Sequence, residues 1–98
     1  MIEFVKKSRY EKAFYSMFDQ LVRSATSVGA NLAEGKAGST RKDWKNYFLI
    51  ALKSANETKY WLYLIRETIT VSANEINKLI TEVNELSKII ASILLKTK

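Results

Sequence analysis

The sequence predicts an all-α protein, an antiparallel up-down bundle of three long helices. Proline is absent from the 98 residues, and the three glycines all fall within residues 29–38, so chain-breaking residues are concentrated in one place. Elsewhere apolar residues recur three or four positions apart, which is the spacing of one helix face. Each such helix needs a neighbour against which to bury its apolar stripe, so the helices are expected to fold back on one another.

The first predicted helix has an apolar stripe that begins at Tyr10 and ends at Leu32. Gly35 lies just after the stripe, and a glycine at this place is typical of a helix that ends in the left-handed backbone conformation. We therefore expect the first helix to end near Gly35. The stripe consists of Tyr10, Phe14, Met17, Leu21, Ala25, Val28 and Leu32.

The second predicted helix begins at the segment from Thr40 to Asp43, which matches a capping box. In that motif a threonine hydroxyl and an acidic side chain bind the free backbone N–H groups of the first turn. The stripe that follows is about 40 Å long at 1.5 Å per residue. It consists of Trp44, Phe48, Ala51, Ala55, Thr58, Leu62, Ile65 and Ile69.

The third predicted helix begins at a second capping box, from Ser72 to Glu75. Its stripe repeats at the same spacing to the end of the chain. The average step of all three stripes is close to 3.5 residues, which favours helices packed side by side. The third stripe consists of Ile76, Leu79, Val83, Leu86, Ile90, Ile93 and Thr97.

Two helices carry more apolar residues than their stripes need. They form either a broad core face or a second apolar surface that meets another subunit, and we favour the subunit because the chain is short. The interface candidates on the second helix are Tyr60, Trp61, Tyr63 and Leu64. The additional apolar residues of the third helix are Ile80, Ile89, Leu94 and Leu95.

The net charge is +6, which favours an anionic partner such as a nucleic acid. The first residues do not have the pattern of a secretory signal peptide. The longest apolar run, residues 60–65, is far shorter than the ~20 residues that span a bilayer. We therefore expect a cytoplasmic protein.

The chain contains neither cysteine nor histidine, which removes thiolate chemistry, the commonest general base and the commonest zinc ligands. We expect no enzyme activity, no cofactor and no metal. The segment from Gly29 to Ala37 does not match a phosphate-binding loop, because its glycine spacing is wrong and Ala37 follows the lysine. Ser27 lies in a run of small residues, for which we prefer helix packing to a catalytic role.

Basic and aromatic residues alternate around the predicted turn between the first two helices. A helix start attracts phosphate, basic side chains add to that attraction, and exposed aromatic rings stack on bases. The alternative is a solvated basic loop with Trp44 turned into the core. The nucleic-acid-binding candidates at this turn are Lys36, Arg41, Lys42 and Lys45, with Trp44 and Tyr47 between them. A second basic cluster, Lys6, Lys7, Arg9 and Lys12, is part of the same surface, a disordered arm, or a source of solubility alone.

The segment 23–35, Arg-Ser-Ala-Thr-Ser-Val-Gly-Ala-Asn-Leu-Ala-Glu-Gly, resembles the signature of a known family. These are the four-helix bundle proteins encoded in intervening sequences of 23S ribosomal RNA, a group that includes the accessory variability protein of diversity-generating retroelements. The resemblance continues through Ser39–Phe48, Asn56–Leu62 and Glu85–Ile90, and covers roughly residues 14–98.

The resemblance implies a basic, non-enzymatic bundle that assembles as a ring, typically a pentamer. It also implies binding to structured RNA or DNA, of which we favour RNA, and docking onto a reverse transcriptase in the retroelement branch. Four polar residues match the markers of the family and are carried over as fold-defining only: Arg23, Asn31, Glu34 and Glu57. We further expect Arg23 to reach Glu57 across the first helical hairpin.

The N-terminus departs from the family, whose members have a complete helix before the position of Phe14. The thirteen residues here, 1–13, are expected to be a shortened or partly disordered segment, or an extension of the following helix, within a single domain of residues 1–98. A missing helix exposes apolar surface, which favours an oligomer. We therefore expect an oligomeric nucleic-acid-binding accessory protein. The alternative is an assembly module whose charge serves only solubility.

Overall fold

A computed structural model describes residues 2–38, 40–68 and 73–96. These residues are helical except at the connection between the first two helices. Helix α1 spans Ile2–Ala37, helix α2 spans Arg41–Thr68 and helix α3 spans Ala73–Lys96. At 1.5 Å per residue the helices are about 54, 42 and 36 Å long. The predicted all-helical fold with three long helices is confirmed, and the described ranges contain no strand.

Helix α1 is longer at both ends than the apolar stripe indicated. It begins at Ile2, so the backbone before Phe14 extends the same helix, although the side chains of residues 2–11 lie outside the description. It ends at Ala37, two residues after Gly35, and no described glycine has a positive φ. The prediction that Gly35 ends the helix in a left-handed conformation is therefore wrong.

Gly35 has a packing role instead. A Cβ atom at this position would lie 2.6 Å from Cδ1 and 2.7 Å from Cε1 of the Phe48 ring on α2. Because real Cβ atoms do not approach a ring so closely, only glycine allows α1 and α2 to meet at this distance.

Helices α1 and α2 are joined by a row of buried and half-buried polar side chains, which we call the closed seam (Ser24, Ser27, Asn31, Ser54 and Thr58). The Thr58 hydroxyl lies 3.0 Å from Ser24 Oγ and 2.8 Å from the Ser54 carbonyl oxygen, and the Ser27 and Ser54 hydroxyls are 2.9 Å apart. Residue numbers rise along α1 as they fall along α2, as expected for helices that run in opposite directions.

Helix α2 lies between the other two helices. It packs against α1 on one side and α3 on the other, whereas no Cα atoms of α1 and α3 come within 8 Å in the described ranges. At the end of α2, Arg66 Nη1 donates to Asn77 Oδ1 of α3 at 2.9 Å. The Cα radius of gyration is 16.6 Å, against about 12.6 Å for a compact domain of this length, so the molecule is elongated.

The three apolar stripes are buried to different degrees. From Ala51 to Ile65 every stripe residue of α2 is buried, whereas Ile90 is the one fully buried member of the described α3 stripe. Ile80, which lies outside the predicted stripe, is buried, while Leu79 and Ile93 are 43% and 37% exposed. The stripe of α3 therefore points partly away from α2, toward a position that none of the three described helices occupies.

The second predicted capping box begins at Ser72, which lies outside the described residues. Helix α3 begins at Ala73, and its first turn contains Glu75, as the motif requires.

Candidate nucleic-acid interface

The turn between α1 and α2 is short and held by backbone and side-chain hydrogen bonds. The Gly38 N–H donates to the Gly35 carbonyl at 3.2 Å, which closes the last turn of α1. The Asp43 N–H donates to Thr40 Oγ1 at 3.0 Å, and the Trp44 N–H donates to the Thr40 carbonyl at 3.1 Å. Thr40 is thus the N-cap of α2, as the sequence predicted.

Four basic residues surround this turn, and we call them the basic turn (Lys36, Arg41, Lys42 and Lys45). The side chains of the first three are exposed and that of Lys45 is half-buried. The positive end of the α2 dipole lies among them, which adds to the attraction for an anion. Glu34 and Asp43 are the acidic residues in the same region, so the local excess is positive.

The aromatic residues of the turn are only partly available to a ligand. Trp44 is half-buried, and its ring packs edge-on against Phe48 with centroids 5.2 Å apart. Tyr47 is also half-buried beside Gly35. The structure thus combines the two alternatives for Trp44: the ring contacts the core, and part of it stays exposed.

Within one chain Lys12 is far from the basic turn. Its side chain is exposed, and it precedes Lys36 by 24 residues on the same helix, a distance of about 36 Å. Lys6, Lys7 and Arg9 continue α1 farther from the turn, and their side chains lie outside the described part of the chain.

The marker polar residues fall into two groups. Asn31 belongs to the closed seam, where its Nδ2 donates to the Ser27 carbonyl at 2.8 Å and lies 3.1 Å from Ser27 Oγ. Arg23 forms an ion pair with Asp19 on its own helix, 3.4 Å between Nε and Oδ2, and does not form the expected pair with Glu57. Both partners are largely exposed, so this pair contributes little to stability. Glu34 and Glu57 are exposed.

The four interface candidates on α2 differ in how far they are exposed. Tyr60 is 57% exposed and its ring contacts Trp61 at a centroid distance of 5.0 Å. Tyr63 is exposed beneath the Arg66 guanidinium, 4.9 Å from its centroid, and Leu64 is half-buried. The Trp61 Nε1 atom is buried and has no hydrogen-bond partner in the described chain.

A larger apolar surface, separate from the predicted interface candidates, is the channel between α1 and α3, here called the open groove. Three depressions follow one another along it and share lining residues, so they form one continuous feature with α2 as its floor. The basic turn lies at one end, where Lys36 and Trp44 line the groove. The α1 side consists of Leu21, Val22, Ala25, Val28, Gly29, Leu32, Gly35 and Lys36, and the α3 side of Leu79, Val83, Leu86, Ile89, Ile90 and Ile93.

One signal for the open groove was present in the sequence. Ile89, which is 57% exposed, stood out as an apolar residue beyond the third stripe. The spacing alone did not show that stripe residues such as Leu79 and Ile93 would be exposed beside it.

Residues 2–38, 40–68 and 73–96 contain no cluster of side chains that could hold a metal ion. No group of three acidic side chains converges there, and Ser27 is bonded to Ser54 and Asn31 rather than to a base. Among the same residues, no helix is both apolar and long enough to traverse a bilayer.

The comparisons with known proteins agree with the resemblance seen in the sequence. The model of the 23S rRNA-intervening sequence protein family matches residues 1–92. A crystal structure of a protein of unknown function from the S23 ribosomal protein family of Bacteroides thetaiotaomicron VPI-5482 is 38% identical, with a TM-score of 0.76. The similarity covers 80% of this chain and 70% of that one. No curated protein matches the sequence.

Proposed function

Since the chain belongs to the 23S rRNA-intervening sequence protein family, we propose that it is a non-enzymatic, self-associating helical bundle that binds structured RNA through its basic turn. Its helices run up and down in antiparallel fashion, and it acts in the cytoplasm as an accessory factor to an RNA-based process. The family name concerns a segment of ribosomal RNA, and the binding role is our inference from the charges of this chain.

The observation that carries the proposal is the geometry of the basic turn. Lys36, Arg41 and Lys42 are exposed around the start of α2, and Thr40 fixes that start by capping it. Phosphate groups are attracted both by the three cations and by the helix dipole. The net charge of +6 supports the same class of partner, because it draws any polyanion toward the protein.

A charge-reversal experiment tests the proposed site. The variant combines Arg41→Glu with Lys42→Glu; glutamate in the first turn of a helix is favourable, so the fold is expected to persist. The matched control combines Lys53→Glu with Lys78→Glu, which changes the net charge equally at exposed positions away from the turn. Binding to a fluorescent RNA hairpin is measured by anisotropy at several salt concentrations.

We expect the turn variant to bind at least about tenfold more weakly and to lower the slope of log affinity against log salt by about 2, since two phosphate contacts are lost. The control is expected to change affinity less than threefold. Equal weakening by both pairs would place the binding elsewhere on a diffuse positive surface.

The alternative function is an assembly module without a nucleic-acid role, and the open groove favours it. An apolar surface of this kind is typical of contact with another protein. This alternative predicts no salt-dependent RNA binding by the unmodified chain, so the same titration separates the two functions.

A further inference from the structure

The end of the open groove beside the basic turn differs from the rest of the groove. This part, which we call the turn pocket, is a cavity of about 570 Å³, whereas the two depressions farther along measure about 270 and 260 Å³. Among the described residues, those two depressions have no charged side chain in their walls. The walls of the turn pocket include Leu32 and Lys36 from α1, Trp44 and Phe48 from α2, and Ile89 and Ile93 from α3.

The turn pocket has the size and the lining of a ligand site. Cavities that hold small molecules typically measure about 300–1,000 Å³ and are mostly apolar, with a few polar groups at defined places. Aliphatic and aromatic side chains form most of this wall, and the exposed Lys36 supplies a positive charge. On the α3 side, Ile89 and Ile93 are 57% and 37% exposed, so this wall is accessible from solvent. A ligand that joins an apolar surface to an anionic group matches this combination.

Trp44 supplies a flat surface in the turn pocket. Its ring meets Phe48 at an interplanar angle of 77°, with centroids 5.2 Å apart. Because a perpendicular contact engages at most one face of an indole, Phe48 does not occupy both faces of the half-buried ring. The Trp44 N–H donates to the carbonyl of Thr40, the N-cap of α2. One turn therefore holds the aromatic ring and the positive end of the α2 dipole in place together.

We propose that the turn pocket receives one unpaired base of a bound RNA, which stacks on Trp44 while the adjoining phosphates contact Lys36, Arg41 and Lys42. This inference rests on the proposed function, since it uses the same basic turn, and it specifies the class of RNA: a helix with a base outside its stack. Unpaired bases stack on aromatic side chains in many RNA complexes. The cost of moving a base out of the stack is least where the base is already unpaired.

The number of cations favours a nucleotide chain over a small aliphatic acid. A single carboxylate needs one cation, and Lys36 in the wall of the pocket would supply it. Arg41 and Lys42 are also exposed around the start of α2, and they match the repeated phosphates of a polynucleotide. The Cα atoms of α1 and α3 stay more than 8 Å apart in the described ranges. This opening allows the polar edges of a base to remain in water while its faces contact the walls.

Two RNA duplexes that differ by a single base test the inference. Each has one bulged nucleotide at the same position, an adenosine in one duplex and an abasic ribose in the other, so their phosphates are equal in number. The affinity of the unmodified chain for each duplex is measured by fluorescence anisotropy. We expect the adenosine duplex to bind at least about fivefold more tightly, since stacking one base on an aromatic side chain contributes this much or more.

A salt titration separates the base contact from the phosphate contacts. Added salt is expected to weaken the binding of both duplexes with the same slope, because each makes the same number of phosphate contacts. The ratio of the two affinities is expected to stay constant, since stacking of a neutral base does not depend on ion release.

Trp44→Leu removes the ring and keeps an apolar side chain. We expect it to lower the affinity ratio to less than about twofold while the abasic duplex binds within about threefold of its affinity for the unmodified chain. Trp61→Leu is the matched control, because Trp61 is the other tryptophan of the chain, is also half-buried and does not line the turn pocket. It is expected to leave the ratio unchanged.

A second variant makes the opposite wall polar without changing the net charge. Ile89→Asn replaces an exposed residue of α3, so the fold is expected to persist, and we expect the affinity ratio to fall at least about twofold. Leu95→Asn is its control, since Leu95 is 66% exposed on the same helix and lies outside the turn pocket. Circular dichroism checks that all four variants remain helical.

The outcomes separate this inference from the proposed function. Equal affinity of the unmodified chain for the two duplexes would overturn the inference and leave RNA binding by the basic turn intact. An unchanged affinity ratio in both Trp44→Leu and Ile89→Asn would also overturn it, because the base would then be bound elsewhere. Absence of binding to either duplex would overturn the proposed function and this inference with it.

Discussion

Helix α1 takes part in two contrasting regions of the molecule, the closed seam with α2 and the open groove beside α3. In the closed seam Ser24, Ser54 and Thr58 are buried and hydrogen-bonded although they are polar. In the open groove Leu79 and Ile89 are exposed although they are apolar. Hydropathy alone therefore does not decide which residues are buried; the number of neighbouring helices does.

The largest difference in stability is expected between two leucine variants whose residues line the same end of the open groove. Leu62, on the α2 floor, is 1% exposed, whereas Leu79, on the α3 side, is 43% exposed. Leu62→Ala should lower the free energy of unfolding by about 2–5 kcal/mol, since it leaves a cavity in the core. Leu79→Ala should cost less than about 1 kcal/mol in dilute protein, where the groove is uncovered. Urea unfolding followed by circular dichroism measures the free energy of unfolding of both variants. Equal losses would contradict the view that the α2 floor of the groove belongs to the core whereas its α3 side does not.

Alanine substitutions at two glycines of α1 are expected to change the stability of the protein in opposite directions. Gly35→Ala places a Cβ within 2.6 Å of the Phe48 ring, and we expect a loss of about 1–3 kcal/mol from overpacking. Gly29→Ala meets open space in a helix interior, and we expect a gain of about 0.5–1 kcal/mol from reduced backbone entropy in the unfolded state. Thermal unfolding of the two variants at one low protein concentration gives the sign of each effect. A loss at Gly29 would mean that the single chain already covers this part of the groove.

A smaller loss of stability than at Leu62 or Gly35 is expected from the hydroxyl groups of the closed seam. Thr58→Val keeps the side-chain shape and removes the hydroxyl that contacts Ser24 and Ser54, at a cost of about 0.5–1.5 kcal/mol. Thr81→Val is the matched control, because its hydroxyl donates to the Asn77 carbonyl on an exposed part of α3, and we expect a change within about 0.5 kcal/mol. Denaturant unfolding curves give the change in the free energy of unfolding for each of the two variants. If Thr58→Val were neutral, the seam would be held by packing alone.

Much of the fold follows from spacing in the sequence. Steps of three and four residues predicted three helices, and Thr40 predicted where α2 begins. The run of small residues around Ser27 was expected to serve helix packing, and the Ser27 hydroxyl lies 2.9 Å from the Ser54 hydroxyl of α2. These features depend on residues close in sequence or on one helix face, where periodicity is informative.

The remaining features depend on which helices are neighbours, and spacing does not contain that information. Gly35 looked like a helix end because its contact with Phe48 is a tertiary one. Arg23 was assigned a partner across the hairpin, whereas Asp19 lies one turn away on the same helix. The exposure of Leu79 and Ile93 could not be foreseen, since a stripe shows the direction of a face but not whether another helix lies there. The four residues of the basic turn were named from the sequence. Their distance from Lys12 could not be predicted, because it depends on the length of α1.

Cysteine labelling gives the most direct test of the proposal that the chain self-associates, with the open groove as the contact surface, since the natural chain has no cysteine. Gly29→Cys places a single thiol in the groove, and Ala30→Cys places one on the neighbouring exposed face. The rate of reaction with a maleimide is measured at increasing protein concentration. We expect labelling of Gly29→Cys to slow as copies associate, while labelling of Ala30→Cys stays constant. Equal rates for both thiols at every concentration, in protein shown by sedimentation to be associated, would contradict the claim.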